Sequence, residues 1–306
     1  MLSSVTKHLH GIFSSAAVIL ITACFGIPLY ILAIIKFLVR WPIWQRIITR
    51  SAIWLVERWI ECIIFAIRLT MKTEWDIRGV EELSRNQWYF ISSNHQFWTD
   101  LPTLLIVFHN RVPSLKIFAK QEILWIPIVG IGCWAIDFPF MKRYSQAYLK
   151  QHPEKRGEDL KITRQACERY KDTPVSILNF TEGTRFRHEK HRCQNSPYRH
   201  LLRPKAGGFA YALHAMDGRI TTLLDVTIVY PKEPGGLWQF LCGAVSEVVV
   251  RVEKSQIPTE YLKGDYLNDR SFRTHFQNWV NECWQRKDDL IEQILSQASP
   301  SNKIKS

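Results

Sequence analysis

The feature that most constrains this chain is an apolar segment near its N-terminus. From Gly11 to Ile35 the sequence GIFSSAAVILITACFGIPLYILAII contains no charged residue. A helix rises about 1.5 Å per residue, so a helix of this length reaches across the roughly 30 Å hydrocarbon core of a bilayer. The segment therefore predicts a membrane anchor, with Pro28 either kinking the helix or turning it back as a re-entrant hairpin.

Two other interpretations of this segment stay open at the level of sequence. A buried helix of a soluble protein is one, although the polar stripe of an amphipathic helix is missing. A lipoprotein-type signal peptide is the other, because the letters ITAC end at Cys24, although the apolar run continues well past that residue. The membrane anchor is the interpretation that we favour.

The stretch that follows, 36–72, interleaves basic residues and tryptophans along apolar sequence. They are Lys36, Arg40, Arg46, Arg50, Arg58, Arg68 and Lys72, with Trp41, Trp44, Trp54 and Trp59. This pattern is typical of a helix that lies in the lipid headgroup region. Because only Lys7 precedes the apolar segment, the excess of basic residues on its C-terminal side places the main domain in the cytoplasm, on the inner face of a membrane.

The charge of the chain restricts its partners. A net charge of +12 indicates an anionic partner, either phosphate groups or an anionic membrane. Nucleic acid is a poor candidate, because no helix-turn-helix, zinc-finger or RNP-type signature is present. The seven cysteines include no C-x-x-C pair and predict reduced thiols. No metal site is expected, because His188, His191 and Cys193 lack a fourth ligand at suitable spacing.

From Trp75 onward, strand-like runs alternate with helix-length segments. The runs are 88–92, 116–120, 133–140, 175–180, 224–230 and 247–253, and the helical segments are 100–108, 156–170 and 209–216. This order predicts an α/β domain with a mixed, largely parallel sheet flanked by helices, preceded by the N-terminal membrane helix segment. We expect a membrane anchor with interfacial helices over 1–73, a catalytic domain over 74–256, and an amphipathic helix with a flexible tail over 257–306. That helix packs either on the core or on the membrane.

The segment SSNHQFWTD, 92–100, places His95 and Asp100 five positions apart. On one helix the two side chains would point about 140° away from each other, so they meet only if His95 ends a strand and Asp100 opens the next helix. With Thr99 or Asp100 as the N-cap, the carboxylate can hold one imidazole nitrogen and leave the other as a general base. The nucleophile would then come from the substrate. The alternative is a capping aspartate beside an ordinary histidine.

Three further segments offer donors for a phosphate group. The loop NFTEGTRFRHEKH follows a predicted strand and combines a tight glycine turn, backbone N–H groups, a hydroxyl and a guanidinium. FPFMKR ends another predicted strand with Arg143, and PKAGG places Lys205 and two glycines ahead of a helix. Taken singly, each segment is equally consistent with a solvated polar loop.

The order of these motifs is more specific than any one of them. N-H-x-x-x-x-D, a strand ending in arginine, F-x-E-G-T-R and a D-V-T strand together resemble the glycerolipid acyltransferase family, which includes the 1-acylglycerol-3-phosphate O-acyltransferases. The resemblance covers about 75–253. EGTRFRHEKH, LLRPKAGGFAYAL and LDVTIVYP look most like the branch of lysocardiolipin-type and bacterial membrane acyltransferases. The resemblance implies the glycerolipid acyltransferase fold and a location at the bacterial inner membrane, with the catalytic domain on the cytoplasmic face.

The resemblance also implies roles for individual residues. His95 would be the general base and Asp100 would orient it. The residues implied to bind substrate, chiefly its glycerol phosphate, are Asn94, Arg143, Glu182, Gly183, Thr184, Arg185 and Lys205. The chain departs from the family pattern at three positions, Lys142, Thr181 and Thr227. Thr181 and Thr227 resemble the lysocardiolipin-like branch and bear on the acceptor more than on the chemistry.

The expected reaction moves a fatty acyl group from acyl-CoA or acyl carrier protein, the co-substrate, to the free hydroxyl of a lysophospholipid, first of all 1-acylglycerol-3-phosphate. No cofactor is needed. Backbone N–H groups of the 94–98 turn would stabilise the oxyanion, and Phe97 and Trp98 would either wall the acyl site or pack beneath the turn. Two alternatives remain: another acceptor, such as lysophosphatidylglycerol or a lysocardiolipin-like lipid, and a non-enzymatic, basic membrane-surface binding protein.

Overall fold

The computed structural model describes residues 4–117, 119, 120, 125, 129–138, 140, 141, 152, 167, 168, 170, 173–266 and 268–298. Three predictions fall on other residues. Arg143 as a phosphate ligand, most of the helix expected over 156–170, and the tail beyond 298 lie outside the described part of the chain.

Two long helices form the N-terminal part of the protein, α1 (Ser4–Leu38) and α2 (Pro42–Thr70). Helix α1 continues through Pro28, so the prediction of a re-entrant hairpin at that proline is wrong. The chain reverses only after Leu38, and Pro42 begins α2 at a position where its missing N–H leaves no hydrogen bond unmade. The two helices pack against each other along their length.

Helix α1 contacts the rest of the protein near both of its ends. Its apolar part, Val5–Leu38, is the only described helix that is long and apolar enough to cross a membrane. Near its start, the His8 ring accepts a 3.2 Å hydrogen bond from the indole of Trp238. Near its end, the buried ammonium of Lys36 pairs with Asp137 at 3.0 Å. A helix held at both ends lies along the domain and does not project from it.

A sheet of six strands forms the core of the remaining chain. Its strands are β1 (Glu74–Arg78), β2 (Tyr89–Ser93), β3 (Leu115–Ile117), β6 (Ser176–Phe180), β7 (Thr222–Val229) and β8 (Glu247–Gln256). The order is β1-β8-β7-β2-β6-β3, and all neighbours are parallel except β7 and β8. Two short strands, β4 (Ala119–Lys120) and β5 (Phe140–Met141), pair separately. The predicted mixed, largely parallel sheet is confirmed.

Helices cover both faces of this sheet, which explains why its central strands are apolar on both sides. On one face, Phe90 of β2 packs with Phe209 and Phe276. These belong to α6 (Ala206–Ala215) and α8 (Arg270–Ala298). On the other face, Ile91 packs with Leu104 of α3 (Asp100–Phe108). Three shorter α-helices, α4 (Val129–Ala135), α5 (His188–Cys193) and α7 (Leu237–Leu241), and a 3-10 helix (Thr259–Tyr261) complete the described fold.

The structure differs from the sequence prediction in three places. The strand expected over 133–140 is wrong for its first part, because 133–135 belong to α4, where Ala135 packs against Ala33 of α1, and of its described residues only Phe140 lies in a strand, β5. The run over 116–120 is divided between β3 and β4. Strand β1 was missed because its sequence, EWDIR, is mostly charged, as an edge strand paired only with β8 can be.

Of the two places predicted for the C-terminal helix, the structure shows packing on the core. The side chains of Phe276 and Trp284 in α8 are almost completely buried, and Trp284 donates a 3.0 Å hydrogen bond to the carbonyl of Leu202.

Candidate active site

Two neighbouring parallel strands bring the principal motifs together. Ser93 at the end of β2 pairs with Phe180 at the end of β6. The histidine motif continues from β2 and the E-G-T-R motif continues from β6, so both emerge at the same edge of the sheet, where ligands of α/β folds bind. The Thr181 N–H donates to the carbonyl of Ser93 at 3.2 Å. A proline at this position could not make that bond, because it has no N–H.

His95 and Asp100 lie in contact in this turn. The Nδ1 atom of His95 is 2.8 Å from Oδ2 of Asp100. The histidine side chain is 20% exposed and the aspartate is completely buried. The predicted geometry of strand, turn and helix is confirmed, because β2 ends at Ser93 and α3 begins at Asp100. Since Nδ1 faces the carboxylate, Nε2 is the nitrogen left for a substrate.

The Asp100 carboxylate organises the whole turn. Its Oδ2 also accepts hydrogen bonds from the N–H groups of Gln96 at 2.6 Å and Phe97 at 2.9 Å. Its Oδ1 accepts one from the hydroxyl of Tyr230 at 2.9 Å. The predicted N-cap, Thr99, makes no side-chain capping bond. Asp100 therefore fixes the backbone of the turn and the orientation of the His95 ring together.

Two residues that support this pair were missed in the sequence. Burial and the charge of Asp100 raise the pKa of Tyr230 well above its ordinary value, so the phenol stays protonated and donates to the carboxylate. The ring of Phe180 stacks on that of His95, with centroids 4.0 Å apart. Phe180 and Tyr230 are the last residues of the predicted strands 175–180 and 224–230. Because parallel strands end at the same edge of a sheet, their position at strand ends could have identified them as neighbours of the site.

The oxyanion donors expected from the 94–98 turn are largely engaged elsewhere. The N–H groups of Gln96 and Phe97 point to Asp100, and the N–H of His95 points to Oε1 of Glu182 at 3.1 Å. These three N–H groups therefore have hydrogen-bond partners within the protein, and the oxyanion role of the turn stays a prediction.

Asn94 and Glu182 hold backbone and do not face the site. Both side chains are fully buried. The Asn94 amide donates to the carbonyl of Ile228 at 2.8 Å and accepts from its N–H at 2.9 Å. The Glu182 carboxylate accepts from the N–H groups of His95 and Leu202, the latter at 3.2 Å. Buried backbone groups that no neighbouring strand pairs need partners, and these two side chains supply them. Their assignment to substrate binding stays a prediction.

Burial raises the pKa of the Glu182 carboxyl to about 8. The N–H groups of His95 and Leu202 oppose this shift, and the nearby charge of Asp100 adds to it. Near neutral pH the side chain therefore carries a proton for much of the time.

The other residues of the E-G-T-R motif form an exposed rim. Gly183 has a φ of +69°, and its N–H closes a turn on the carbonyl of Phe180 at 2.8 Å. A Cβ atom at this position would lie 3.3 Å from the side chain of Lys205, so glycine serves both the turn and this close approach. The hydroxyl of Thr184 accepts a hydrogen bond from Lys190. Predicted anion-binding residues thus share one rim.

Arg185 lies at this rim with its guanidinium over the ring of Trp98, 3.8 Å from the ring centroid. Within the described part of the chain, no carboxylate pairs with that guanidinium. Trp98 itself is 61% exposed. Its neighbour Phe97 points inward and meets the ring of Tyr230 edge-on at 5.3 Å. Of the two aromatic residues in the turn, Phe97 packs beneath it and Trp98 stands at the entrance.

An apolar cavity of about 1050 Å³ begins beside His95, Trp98 and Arg185. It follows one face of α3, from Leu101 through Leu105 to the end of that helix, and side chains of α1 and α2 close its other side. At its far end lie polar groups, among them Glu57, Arg85, His109 and Asn110. The guanidinium of Arg85 there donates to Glu57 at 2.7 Å and to Asn110 at 3.2 Å.

Comparisons with known proteins agree with this geometry. A family model described as Acyltransferase matches residues 74–231. Mouse 1-acyl-sn-glycerol-3-phosphate acyltransferase gamma is 28% identical over 283 residues, covering 83% of this chain and 67% of that protein. The mouse epsilon enzyme is 19% identical over 238 residues, covering 70% and 60%. A yeast 2-acyl-1-lysophosphatidylinositol acyltransferase is 25% identical over 249 residues, covering 67% and 61%. The chain thus spans between 60% and 67% of the length of these three relatives.

A solved structure is similar over almost the whole chain. The crystal structure of the 1-acyl-sn-glycerophosphate acyltransferase PlsC from Thermotoga maritima aligns with a TM-score of 0.53 and 17% identity, covering 94% of this chain and 98% of that one. At this level of sequence identity, the structural similarity is evidence for the fold alone. The family model, in contrast, spans more than half of the 306 residues and ends just beyond β7. The predicted resemblance is thereby confirmed, and the chain belongs to the acyltransferase family.

Proposed function

We propose that this protein transfers a fatty acyl group from an acyl thioester to the free hydroxyl of a lysophospholipid, with 1-acylglycerol-3-phosphate as the leading acceptor. The observation that carries the proposal is the position of His95. Its Nδ1 is held by Asp100, and it stands where an apolar cavity of about 1050 Å³ meets the guanidinium of Arg185. A base, an acyl site and an anion site therefore share one entrance.

The reaction follows from this arrangement. The acceptor hydroxyl gives its proton to Nε2 of His95 as its oxygen attacks the thioester carbonyl. Asp100 stabilises the resulting imidazolium through Nδ1, as the aspartate of a catalytic triad does. When the tetrahedral intermediate collapses, the carbon–sulfur bond breaks and the thiolate takes the proton from His95. The products are an ester and a thiol, either free CoA or the carrier-protein thiol.

The cavity supports an acyl chain as the transferred group. Its walls are mostly apolar side chains, many of them from α1, α2 and α3, and each CH₂ group buried there contributes about 0.8 kcal/mol to binding. Its volume is at the upper end of the range found for ligand pockets, roughly 300–1,000 Å³. A chain lying along α3 would have its carboxyl end beside His95 and its methyl end towards His109.

The exposed rim supports a phosphate on the acceptor. Arg185 and Lys205 bring two positive charges to the entrance, and Gly183 lets the backbone of the turn approach closely. The two mouse relatives are named for 1-acyl-sn-glycerol-3-phosphate, which favours that acceptor. The yeast relative is named for a lysophosphatidylinositol, which makes a lysophospholipid with a larger headgroup the second candidate.

The N-terminal helices support a membrane as the place of the reaction. Helix α1 exposes many large apolar side chains, and so does the chain around the turn into α2, where Leu38, Trp41 and Ile43 are each at least 70% exposed. Because α1 is held to the domain at both ends, we infer that it lies in the membrane surface with one side towards lipid. The cytoplasmic face of a bacterial inner membrane, implied by the family resemblance, stays a prediction.

The test compares membranes that contain the wild type, His95→Ala or His275→Ala, supplied with a labelled long-chain acyl-CoA or acyl carrier protein and a panel of lysophospholipids. His275 is an exposed histidine of α8 and serves as the control. We expect the wild type and the control to acylate lysophosphatidate fastest, and His95→Ala to be inactive but still membrane-bound. Undiminished transfer by His95→Ala would refute the mechanism. Faster transfer to another lysolipid would replace the acceptor and keep the mechanism. Failure of every donor with every acceptor would leave a basic membrane-binding protein as the better interpretation.

A further inference from the structure

Trp98 has a position that core packing does not explain. It lies in the catalytic turn between His95 and Asp100 and is 61% exposed, whereas the neighbouring Phe97 packs inward.

One face of the Trp98 ring is covered by the guanidinium of Arg185. The separation of 3.8 Å from Cζ to the ring centroid is well inside the roughly 6 Å limit for cation–π attraction. The guanidinium is planar, and its N–H groups point outward in that plane. Stacking therefore holds the cation through its face and leaves those donors available. A carboxylate partner, in contrast, would occupy the donors that a phosphate needs.

The ring is in turn fixed with respect to the base. Oδ2 of Asp100 accepts from the N–H groups of Gln96 and Phe97, immediately before Trp98, and from Nδ1 of His95. One carboxylate oxygen thus sets both the direction of the imidazole and the backbone that carries the tryptophan. Because Arg185 stacks on that tryptophan, the anion-binding group and the base are positioned by the same short turn.

We propose that Trp98 is a positioning residue that holds the Arg185 guanidinium by a cation–π contact, so that a phosphate bound there places the acceptor hydroxyl at His95. This inference rests on the proposed function, since it concerns how the acceptor is bound. Trp98 acts through Arg185 and sets the spacing between phosphate and nucleophile. Acceptors whose phosphate lies at that spacing from the free hydroxyl are selected.

The experiment is a double-mutant cycle on the full-length protein in membranes or detergent, with wild type, Trp98→Leu, Arg185→Ala and the double variant. Leucine keeps apolar bulk and removes the aromatic face. We expect Trp98→Leu to raise KM for lysophosphatidate by about 2- to 30-fold, the range given by cation–π contacts, with little change in KM for the acyl donor. On the Arg185→Ala background, the same substitution should leave KM for the acceptor unchanged. Trp98→Phe, which keeps an aromatic face, should recover most of the loss.

Two results would overturn the proposal. If Trp98→Leu kept the acceptor KM of the wild type and weakened the donor instead, the residue would be an apolar wall of the acyl site. If the effects of Trp98→Leu and Arg185→Ala on acceptor KM simply multiplied, the two side chains would act independently. Trp41→Leu removes a tryptophan that is 74% exposed at the start of α2, and it controls for changes in membrane binding.

A binding measurement separates this inference from the proposed function. Calorimetric titration of the same variants with glycerol 3-phosphate needs no turnover. If the wild type transfers no acyl group but both Arg185→Ala and Trp98→Leu weaken this binding non-additively, the positioning of Arg185 by Trp98 is supported and the proposed reaction is refuted. If Arg185→Ala weakens the binding and Trp98→Leu does not, the anion site is supported and the positioning role of Trp98 is refuted. If neither substitution changes the binding, both the positioning role and the anion site at Arg185 are refuted.

Discussion

The buried carboxyl of Glu182 should make the stability of this protein depend on pH in a defined direction. Burial raises its pKa from an ordinary 4.5 to about 8, although two backbone N–H groups point at it. A group whose pKa is higher in the folded state contributes stability that is complete below the unfolded pKa and is lost as pH rises through the folded pKa. At about 1.36 kcal/mol per pH unit, the loss between pH 4.5 and pH 8 amounts to roughly 5 kcal/mol.

Glu182→Gln isolates this contribution. A glutamine is neutral at every pH, as the protonated glutamic acid is, but its NH₂ group cannot accept a hydrogen bond from the second N–H as a carboxyl oxygen can. At pH 5 the variant should therefore be less stable than the wild type by about 1 kcal/mol, the contribution of one hydrogen bond. Above pH 8 the wild type has a buried charge that the variant lacks, so the variant should unfold at a higher temperature, by about 10 °C if the full difference is expressed.

The measurement is the unfolding temperature of both proteins in the same detergent from pH 5 to pH 9, followed by circular dichroism. The quantity that matters is the difference between the two proteins, because other titrating groups contribute equally to both. A difference that stays constant over this range would refute the reasoning, since it would mean that Glu182 does not change its protonation between folded and unfolded states. A variant that loses stability as pH rises, relative to wild type, would show that the two N–H donors outweigh burial.

Three other substitutions test separate parts of the structure. Asp100→Asn keeps an oxygen for Nδ1 of His95 but removes the charge that stabilises the imidazolium. The kcat should therefore fall about 10- to 100-fold with little change in KM. An unchanged kcat would contradict the role of Asp100 in stabilising the protonated His95. Leu105→Trp should fill part of the cavity and shift the preference for acyl donors to shorter chains, whereas the same change at Leu69, which is 72% exposed, should not. Competition assays between long-chain and short-chain donors measure this preference. If it does not change, the acyl chain binds elsewhere. Lys36→Met removes the buried ammonium that contacts the half-buried carboxylate of Asp137 and the carbonyl of Ala135, and it should lower the free energy of unfolding by about 3 kcal/mol. Denaturant titration against the exposed Arg40→Met measures this loss, and a smaller loss than in that control would show that the pair does not hold α1.

The sequence determined what depends on short stretches of chain. The bounds of α3 were predicted to the residue, and so was the contact between His95 and Asp100, because five positions admit only a strand, a turn and a helix start if the two side chains are to meet. The largely parallel sheet followed from strands separated by helix-length segments. The first two follow from local backbone geometry, and the parallel sheet follows from the length of the segments that connect its strands.

The tertiary structure decided where side chains of the motifs point. Asn94 and Glu182 have the residue types of a substrate site, yet both are turned to backbone of a neighbouring strand or loop. Tyr230 has its role through a hydrogen bond to Asp100, which is 130 positions away in sequence. Trp98 has its role through the contact with Arg185, which belongs to another loop. The same holds for α1, whose apolar length suits a membrane span but whose two ends are both held by the domain. A residue type shows which contacts a side chain is able to make, and only the packing of distant segments determines which of those contacts it makes.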